Sequence, residues 1–488
     1  MNVSRKLCWA ALALLVIAST VTSAAVSATR ASDVHARSTA LVDGRFPNGT
    51  RFVTSIPPRK KKKKLMRNVL YFPSWDTYRR EFKADDIPAK HVTHLLYAFA
   101  TLKETGEVYP WDLWADVKRR PLNLNESHVK ADSNNLYGAA QQFYLVKKKH
   151  RHVKTLVSIG GWDVSQSGAF EMAASTKQSR KLFANSAVKL LADWGFDGID
   201  IDWEYPKDEQ DAKNFVLLLK ACRKALSKYS RLNRQLHHYL LTIAASAGPK
   251  YYRIQNLGEM DKYIDQWHLM AYDYAGSWDE ETGSQSNVYP DPDNMVSTKF
   301  NTDQAIEDYI SKGIAPHKIV MGLPLYGRSF LNTEGLGKPY SGVGIGSVEK
   351  GIWLYRHLPR PGANVYVNNR TISAHTYDEN SKELVTFDNT ETTKLKATYL
   401  MGKGLGGTVF WEASGDHDDE RSLVRTMSES MGKLDRSKNM LKYPVSIYEN
   451  VRRGMPKSDF NNDDPHSDSD LDAESQSEEA FQAEVPPF

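Results

Sequence analysis

Apolar runs of strand length alternate with longer amphipathic stretches from Asn68 to about Met427. The runs are rich in Val, Ile, Leu and aromatic residues, a composition typical of buried strands. The stretches between them, such as 179–194 and 211–229, repeat apolar residues at helical spacing. The runs occupy residues 69–72, 92–99, 154–159, 198–203, 239–245, 266–272, 318–325 and 407–411.

Repeated strand and helix units predict an α/β fold in which helices connect parallel strands. Eight units in succession indicate a (β/α)8 TIM barrel. A doubly wound open sheet is the alternative, but no glycine-rich phosphate loop follows the first strand. We therefore expect a closed barrel whose functional residues lie where the strands end at their carboxyl side.

The strongest interruption of this pattern lies between the seventh and eighth runs. Tyr326-Gly327-Arg328-Ser329-Phe330 is followed by a long stretch rich in Gly, Tyr, Val and Thr, in which 377–378 and 383–387 have the composition of short strands. We predict a small α+β domain inserted over 331–393, so that the catalytic barrel comprises 67–330 and 394–435. An insertion at this position is expected to form a wall beside the site and to deepen a groove.

The amino-terminal residues have the pattern of a secretory signal peptide. Arg5 and Lys6 precede an apolar run over 7–21, which small residues follow. This run is too short for a membrane span, and no later segment is apolar enough to be one. We expect residues 1–24 to be removed and the mature protein to be soluble, secreted and extracellular.

Two further segments differ in charge from the rest of the chain. We predict a disordered or propeptide-like basic linker over 25–66, because Arg59 through Lys64 form an unbroken basic run. A disordered acidic tail is predicted over 436–488, where Asp, Glu and Ser dominate from Asp459 onward. The basic run lacks the aromatic or helical framework of a nucleic-acid site, so we expect no nucleic-acid partner.

The composition favours one large domain. The 488 residues are 41% hydrophobic and carry a net charge of +5. Because Cys8 belongs to the signal peptide, Cys222 is alone in the mature chain, and a secreted protein without disulfides must rely on a large core. We expect a monomer with no metal, other cofactor or membrane partner, and the sequons at Asn48, Asn125 and Asn369 are candidate glycan sites.

Three acidic residues follow one another at alternate positions in the fourth run. Strand side chains alternate faces, so Asp200, Asp202 and Glu204 are predicted to project together. Crowded acids repel one another, so at least one should hold a proton near neutral pH and could act as a general acid. Asp197 is out of phase with the other three, and we interpret it as a structural hydrogen-bond acceptor.

Two other interpretations of the acids are weaker. Acidic clusters are usually solvated, but here Ile199, Ile201 and Trp203 indicate a strand with one face buried in protein. Calcium loops draw their ligands from turn-like segments with a glycine between the acids, whereas this segment is predicted to be extended.

Aromatic and polar residues recur at the predicted carboxyl ends of the other strands. Each one alone is more typical of a core, but together with the acids they indicate stacking platforms for the flat faces of sugars. The residues are Tyr71 and Trp75, Trp162, the group Met270, Tyr272 and Asp273, then Tyr326 and Arg328, and finally Trp411.

Four motifs in order carry a family resemblance. Along the chain they are Ser158-Ile159-Gly160-Gly161, DxxDxDxE from Asp197 to Glu204, Met270-Ala271-Tyr272-Asp273-Tyr274 and Gly407-Thr408-Val409-Phe410-Trp411-Glu412. With them the chain closely resembles glycoside hydrolase family 18, the chitinases, from about Asn68 to Met427. It looks most like the secreted fungal chitinases that carry an α+β insertion domain.

The resemblance implies hydrolysis of β-1,4-N-acetylglucosamine linkages in chitin and chitooligosaccharides, with retention and without a protein nucleophile. It implies that Glu204 is the general acid and base, that Asp202 accepts the acetamide N–H and shares a proton with Asp200, and that Tyr272 binds the acetamide carbonyl. It further implies that Trp411 forms the floor of the sugar site. Other sugar contacts implied by the resemblance are Asp273, Met270, Arg328, Tyr71, Trp75, Trp162 and Tyr205.

Two alternatives share this fold. One is a chitin-binding, lectin-like protein, but catalytic loss in such proteins follows replacement of the terminal Glu, and Glu204 is present. The other is an endo-β-N-acetylglucosaminidase acting on N-glycans, which usually lacks the inserted wall.

Overall fold

The computed structural model describes residues 40–45, 51–56, 65–78, 80, 82–119 and 134–456. The predicted signal peptide, the basic run, the sequons at Asn48 and Asn125 and the acidic end from Asp459 lie outside these residues. In chain order the strands are β1 (Ala40–Arg45), β2 (Arg51–Ile56), β3 (Arg67–Pro73), β4 (His94–Leu102), β5 (Val108–Pro110), β6 (Lys154–Gly160), β7 (Gly198–Asp202), β8 (Leu240–Ser246), β9 (Gln266–Met270), β10 (Ile319–Pro324), β11 (Tyr326–Phe330), β12 (Ile352–Leu354), β13 (Asn364–Asn368), β14 (Ser373–Asp378), β15 (Glu383–Phe387) and β16 (Gly407–Trp411).

Helices connect most of these strands. The α-helices are α1 (Gly138–Lys149), α2 (Trp162–Gln166), α3 (Ala169–Ser175), α4 (Lys177–Trp194), α5 (Glu209–Leu232), α6 (Pro249–Tyr252), α7 (Leu257–Met260), α8 (Thr302–Ser311), α9 (Thr390–Gly402), α10 (Leu423–Met431) and α11 (Glu449–Arg452). A π-helical turn spans Trp114–Lys118, and 3-10 turns span Ser74–Thr77, Ala84–Asp86, Ala89–His91, Met295–Thr298, Pro316–Lys318, Tyr355–His357 and Ala413–Gly415.

Eight parallel strands form the closed barrel that the sequence predicts. Their order around the ring is β3, β4, β6, β7, β8, β9, β10 and β16, and β16 pairs with β3 to complete it. The short β5 pairs antiparallel with the end of β4. The closed ring excludes the doubly wound open sheet.

The two faces of β7 meet different surroundings, as the alternation of its residues predicts. Ile199 and Ile201 are fully buried in the layer between strands and helices. The Trp203 ring packs against Phe215 of α5, with 5.3 Å between centroids. Asp200 projects into the barrel interior, where the parallel register places it between Ser158 of β6 and Thr242 of β8.

The turn before β7 depends on a glycine. Helix α4 ends at Gly195, which has φ of +70°, a left-handed conformation typical of glycine at helix ends. A Cβ atom at this position would lie 2.5 Å from the Tyr144 ring. This tight turn sets where β7, and therefore the acidic ladder, begins.

The inserted domain starts earlier than predicted. Its antiparallel sheet has the order β12, β11, β15, β14, β13, so β11 belongs to it rather than to the barrel. Only Leu325 separates β10 from β11, and for this reason the sequence showed no break between the two strands. The inserted sheet thus runs from Tyr326 to Phe387, and α9 returns the chain to the barrel.

The predicted acidic tail also begins too early. Residues 436–456 lie against the base of the barrel, with Tyr443 and Val451 fully buried. Asn439 donates from Nδ2 to the carbonyl oxygens of Lys147 and Val153. The apolar residues of this segment explain its packing, because the acidic run starts only at Asp459.

Part of the predicted disordered linker forms a hairpin. Strands β1 and β2 pair antiparallel, with Ala40 opposite Ile56 and Arg45 opposite Arg51. The sequence between them contains Asn48-Gly49, a dipeptide that favours hairpin turns. The basic run from Arg59 to Lys64 indicates a linker, but the Asn-Gly dipeptide is a local signal for the hairpin that precedes it.

None of the helices in the described part of the chain is both long enough and apolar enough to cross a membrane.

Candidate active site

Asp200 lies at the centre of the barrel and accepts hydrogen bonds from three other strands. Tyr71 Oη donates to Oδ2 over 2.9 Å and Ser158 Oγ donates to the same oxygen over 2.7 Å. Thr242 Oγ1 donates to Oδ1 over 2.6 Å. Burial alone would raise the pKa of Asp200, but His268 and the hydroxyl donors outweigh it, so its pKa is lowered. This carboxylate is therefore held ionised.

Asp202 lies two residues further along β7, and its surroundings shift its pKa in the opposite direction. It is also buried, but its Oδ1 has no hydrogen-bond partner among the described residues. Burial, Glu204 and Asp200 all raise its pKa well above the usual range. These surroundings favour the protonated form of Asp202 beside the ionised form of Asp200.

Glu204 follows β7 and lies half-buried at the edge of the ladder. Its backbone N–H donates to Ser165 Oγ over 2.8 Å, and Gln166 Nε2 donates to its carbonyl oxygen over 2.7 Å. Burial raises the pKa of its carboxyl to about 7, although a hydrogen bond with Tyr205 opposes the shift. A carboxyl with this pKa can give and take a proton near neutrality.

Tyr205 and Tyr272 lie beside the acids. The Tyr205 ring stacks on the Tyr251 ring at 4.3 Å between centroids. Burial and nearby carboxylates raise the pKa of the Tyr272 hydroxyl well above its usual value, so it stays a hydrogen-bond donor. Gly322 of β10 makes room for this ring, since a Cβ there would lie 2.8 Å from it.

Asp273 follows β9 with φ of +60° and is held by β11. Arg328 Nε donates to Asp273 Oδ1 over 2.6 Å, and Tyr326 Oη donates to the same oxygen over 2.5 Å. The Arg328 guanidinium also lies 4.5 Å from the Trp278 ring centroid. Asp273 is thereby a fixed, bound carboxylate at the side of the acids, while Met270 lines the same groove.

An aromatic floor lies beside the acids. The Trp411 ring stacks on Phe99 at 5.8 Å between centroids, and Tyr71 and Trp75 contact its other sides at 5.3 and 6.4 Å. Tyr71 is only 3% exposed and its hydroxyl is used by Asp200, so it supports the floor from below. Trp411 itself is half-buried, with surface open to the groove.

One groove of about 1150 Å³ lies on the carboxyl side of the barrel strands, and its lining includes Tyr71, Asp202, Glu204, Tyr205, Met270, Tyr272, Asp273, Arg328 and Trp411. Trp75 and Trp162 stand on its rim with 41% and 56% of their surface exposed. The insertion supplies Glu349, Lys350 and Ile352 to the lining, so it forms the predicted wall. The groove has apolar platforms along its length and carboxyl groups at its centre.

Asp197 lies at the other end of β7 and outside the groove. Lys147 Nζ lies 2.7 Å from Asp197 Oδ2, and both side chains are completely buried. The backbone N–H groups of Thr155 and Met440 donate to Asp197 over 2.9 and 2.7 Å. The structure thus places this acid among structural hydrogen bonds at the base of the barrel.

The site contains several residues that the sequence patterns do not predict. Thr242 and His268 contact Asp200 from β8 and β9, and Tyr251, Trp111 and Trp278 extend the aromatic lining. Trp278 and Trp111 could have been found as aromatic residues in loops that follow strands. Thr242 and His268 gave no local signal, because only the register across three strands brings them to Asp200.

A second buried carboxyl pair supports the floor. Arg80 Nη1 binds both Asp76 and Glu412, which follow β3 and β16 directly behind Trp75 and Trp411. Burial and Glu412 raise the pKa of Asp76. Across the described ranges, no group of three or more His, Cys, Asp or Glu side chains is arranged to hold a metal ion.

Comparisons with known proteins agree with this geometry. The sequence model of Glycosyl hydrolases family 18 matches residues 67–416. Endochitinase 1 of Metarhizium robertsii is 46% identical over 388 residues, which cover 80% of this chain and 90% of that protein.

Solved structures show the same fold. The catalytic domain of psychrophilic chitinase B from Arthrobacter TAD20 aligns with a TM-score of 0.69 and 29% identity over 77% of this chain and 98% of that chain. A mutant of the family 18 chitinase from Cycas revoluta, solved in complex with (GlcNAc)4, aligns with a TM-score of 0.62 and 28% identity over 75% of this chain and all of that chain. The match of the family over most of the barrel, with the acidic ladder at the end of β7, shows that the chain belongs to glycosyl hydrolase family 18.

Proposed function

We propose that this protein is a chitinase that hydrolyses β-1,4-N-acetylglucosamine linkages in chitin and chitooligosaccharides. Family membership, the similarity to Endochitinase 1 of Metarhizium robertsii and the aromatic groove support this substrate class. The half-buried Glu204 carboxyl, which lies in the aromatic groove beside Asp202 and Tyr272, is the observation that carries the proposal. Burial raises the pKa of this carboxyl to about 7.

The proposed mechanism retains configuration and uses the substrate as its own nucleophile. A retaining enzyme with a protein nucleophile needs a free carboxylate about 5 Å from the acid across the sugar. Asp200 and Asp202 lie on β7 directly before Glu204, and Asp273 is bound by Arg328 and Tyr326. The acetamide oxygen of the bound sugar is therefore the better candidate to attack the anomeric carbon.

The residues of the site act in this mechanism as follows. Glu204 gives its proton to the glycosidic oxygen as the bond breaks, and later takes a proton from the water that opens the oxazolinium ion. Asp202 accepts the acetamide N–H, while Tyr272 donates to the acetamide carbonyl and fixes its direction. Trp411 stacks under the sugar at the point of cleavage, and Trp75 and Trp162 contact sugars on either side.

Glu204→Gln tests the assignment. This change removes the transferable proton but keeps the shape, so we expect kcat on chitohexaose to fall at least about 10³-fold while binding of the hexamer stays within about threefold of wild type. Turnover that equals wild type would refute the role of Glu204. Loss of binding in a folded variant would instead refute the sugar site.

We also propose that the protein is secreted and carries a glycan at Asn369. This asparagine is exposed in the turn between β13 and β14, within the sequon Asn369-Arg370-Thr371. Mass analysis of protein from the culture medium of a eukaryotic host should show an amino terminus near residue 25. Enzymatic removal of N-glycans should lower the mass of wild type by one glycan more than that of Asn369→Gln.

A further inference from the structure

A second groove, of about 610 Å³, lies between the end of α5 and the start of β8, and we call it the basal groove. Its lining includes Arg231, Arg234, Gln235 and Leu236. The chain has no Asp or Glu between residues 211 and 259, so no acid of this segment offsets its positive charges. The lysines and arginines from residue 220 to residue 238 are Lys220, Arg223, Lys224, Lys228, Arg231 and Arg234.

The acid that reaches this region from the loop before β9 is already bound. Asp265 Oδ2 accepts from Arg223 Nη2 over 2.7 Å, and His238 Nε2 lies 2.8 Å from Asp265 Oδ1. Arg231 and Arg234 are exposed, and no acid in the described part of the chain forms a salt bridge with either one. The basal groove therefore carries uncompensated positive charge, which favours an anionic partner.

The end of the described chain comes close to the basal groove. Gln235 Nε2 donates to the carbonyl oxygen of Lys442 over 2.7 Å. The neighbouring Leu441 carbonyl oxygen accepts from Tyr144 Oη over 2.6 Å, and a Cβ at Gly454 would lie 3.8 Å from the same hydroxyl. One tyrosine side chain thus separates the rim of the groove from residue 454. An extended chain advances about 3.3 Å per residue, so about ten further residues can cross roughly 30 Å.

The residues that follow have the charge that this groove lacks. Residues 459–484 contain ten Asp and Glu and no Lys or Arg. We propose that this acidic segment binds the basal groove of its own chain and covers that end of the barrel. Because the segment is tethered beside the groove, its effective concentration there is on the order of millimolar, which an outside polyanion must exceed to compete.

This inference goes beyond the proposed hydrolysis and does not depend on it. Tyr239 lines the basal groove directly before β8, whereas Ser246, the last residue of β8, lines the groove that holds the acids. The seven residues of this strand span about 20 Å. The bound segment neutralises Arg231 and Arg234 at the base, and it closes the basal groove to other polyanions.

Disulfide trapping in the full secreted chain tests the contact. Cys222 is buried, so an introduced pair of cysteines can react without it. At low salt under mild oxidation, Leu236→Cys with Ser469→Cys should form an intrachain disulfide at least about fivefold faster than Ile447→Cys with Ser469→Cys. Leu236 and Ile447 are both exposed, and Ile447 is nearer to the acidic segment along the chain, so the second pair measures tethering alone.

Charge reversal shows whether the arginines hold the segment. Arg231→Glu combined with Arg234→Glu, or about 0.5 M NaCl, should bring the two rates to within about twofold of each other. Lys177→Glu combined with Lys181→Glu reverses two exposed charges on α4, and this matched control should keep the preference for Leu236→Cys.

Three results of this experiment would overturn the inference. Equal rates for the two cysteine pairs would show that the segment is only tethered. A preference that survives reversal of both arginines would show that the basic groove is not what holds it. Disulfide-linked dimers in place of the intrachain bridge would assign the groove to the acidic segment of a second copy.

Hydrogen exchange gives a second measurement without introduced cysteines. When the ten acids are changed to Asn or Gln, residues 231–238 should exchange at least about threefold faster than in wild type at low salt, because the groove is uncovered. Added polyphosphate should slow this exchange in the variant and leave wild type unchanged. Equal exchange in the two proteins, or equal slowing of both by polyphosphate, would mean that the acidic segment does not occupy the groove.

Discussion

Asp197 lies directly before β7 and Asp202 is the last residue of that strand, and these two buried carboxyl groups differ in how their surroundings compensate a charge. Asp197 is paired with Lys147 and accepts two backbone hydrogen bonds. Asp202 has no cationic partner within hydrogen-bonding distance among the described residues and one oxygen without a hydrogen bond. At the base, Lys147 compensates the charge of Asp197, and this pairing stabilises the fold. At the groove, no cation among the described residues pairs with Asp202, so its carboxyl can hold or exchange a proton during catalysis.

The largest expected effect concerns the uncompensated end. Asp202→Asn removes a carboxyl that orients the acetamide and shares its proton, so kcat on chitohexaose should fall about 10³-fold. The midpoint of thermal unfolding should stay the same or rise, because a buried titratable group is replaced by a neutral one. A fall in the midpoint as large as that of an ordinary core mutant would contradict the comparison.

The compensated end should respond in the opposite way. Lys147→Met leaves the Asp197 charge buried without a cation, so the free energy of unfolding should fall by about 3–5 kcal/mol in urea titrations. The kcat of the folded variant should stay within about twofold of wild type. Lys189→Met, which removes an exposed lysine paired with Asp193, is the control and should cost about 1 kcal/mol or less.

The pH dependence of stability should report the raised pKa at the groove end. The pKa of Glu204 is raised from 4.5 to about 7, so the folded state holds a proton that the unfolded state releases in this interval. The contribution of Glu204 to stability is therefore lost as pH rises from 4.5 to about 7. Glu204→Gln should become progressively more stable than wild type across that interval, measured by urea unfolding at several pH values; a constant difference would show an unshifted carboxyl.

The smallest effect is expected at the segment that covers the base. Asn439→Ala removes the amide that donates to the carbonyl oxygens of Lys147 and Val153, which should lower the free energy of unfolding by about 1–3 kcal/mol. The acid and alkaline limbs of the kcat profile should coincide with those of wild type. A displaced limb would mean that the base and the groove are coupled.

Local patterns of the sequence predicted the barrel and the acidic ladder, because a period of two residues decides which face of β7 each side chain takes. They did not predict Thr242 and His268, since these meet Asp200 through the register of β8 and β9, a property of paired strands. They also placed the insertion and the tail imprecisely. Leu325 alone separates the parallel strand β10 from the antiparallel strand β11, so no break in the sequence pattern marks the start of the insertion. Residues 436–456 are mostly irregular, and contacts with distant helices and strands hold them against the barrel.

The hydrogen bond from the Met440 backbone to Asp197 also has a consequence for how the protein is made. Asp197 emerges from the ribosome long before residue 440, and until then the buried carboxylate at the base lacks one of its donors. Strand β3, the first of the ring, likewise lacks one of its partners until β16 is synthesised. The ring therefore stays open for most of the synthesis of the chain, and the edges of β3 and β10 that pair with β16 are exposed to aggregation until β16 is made.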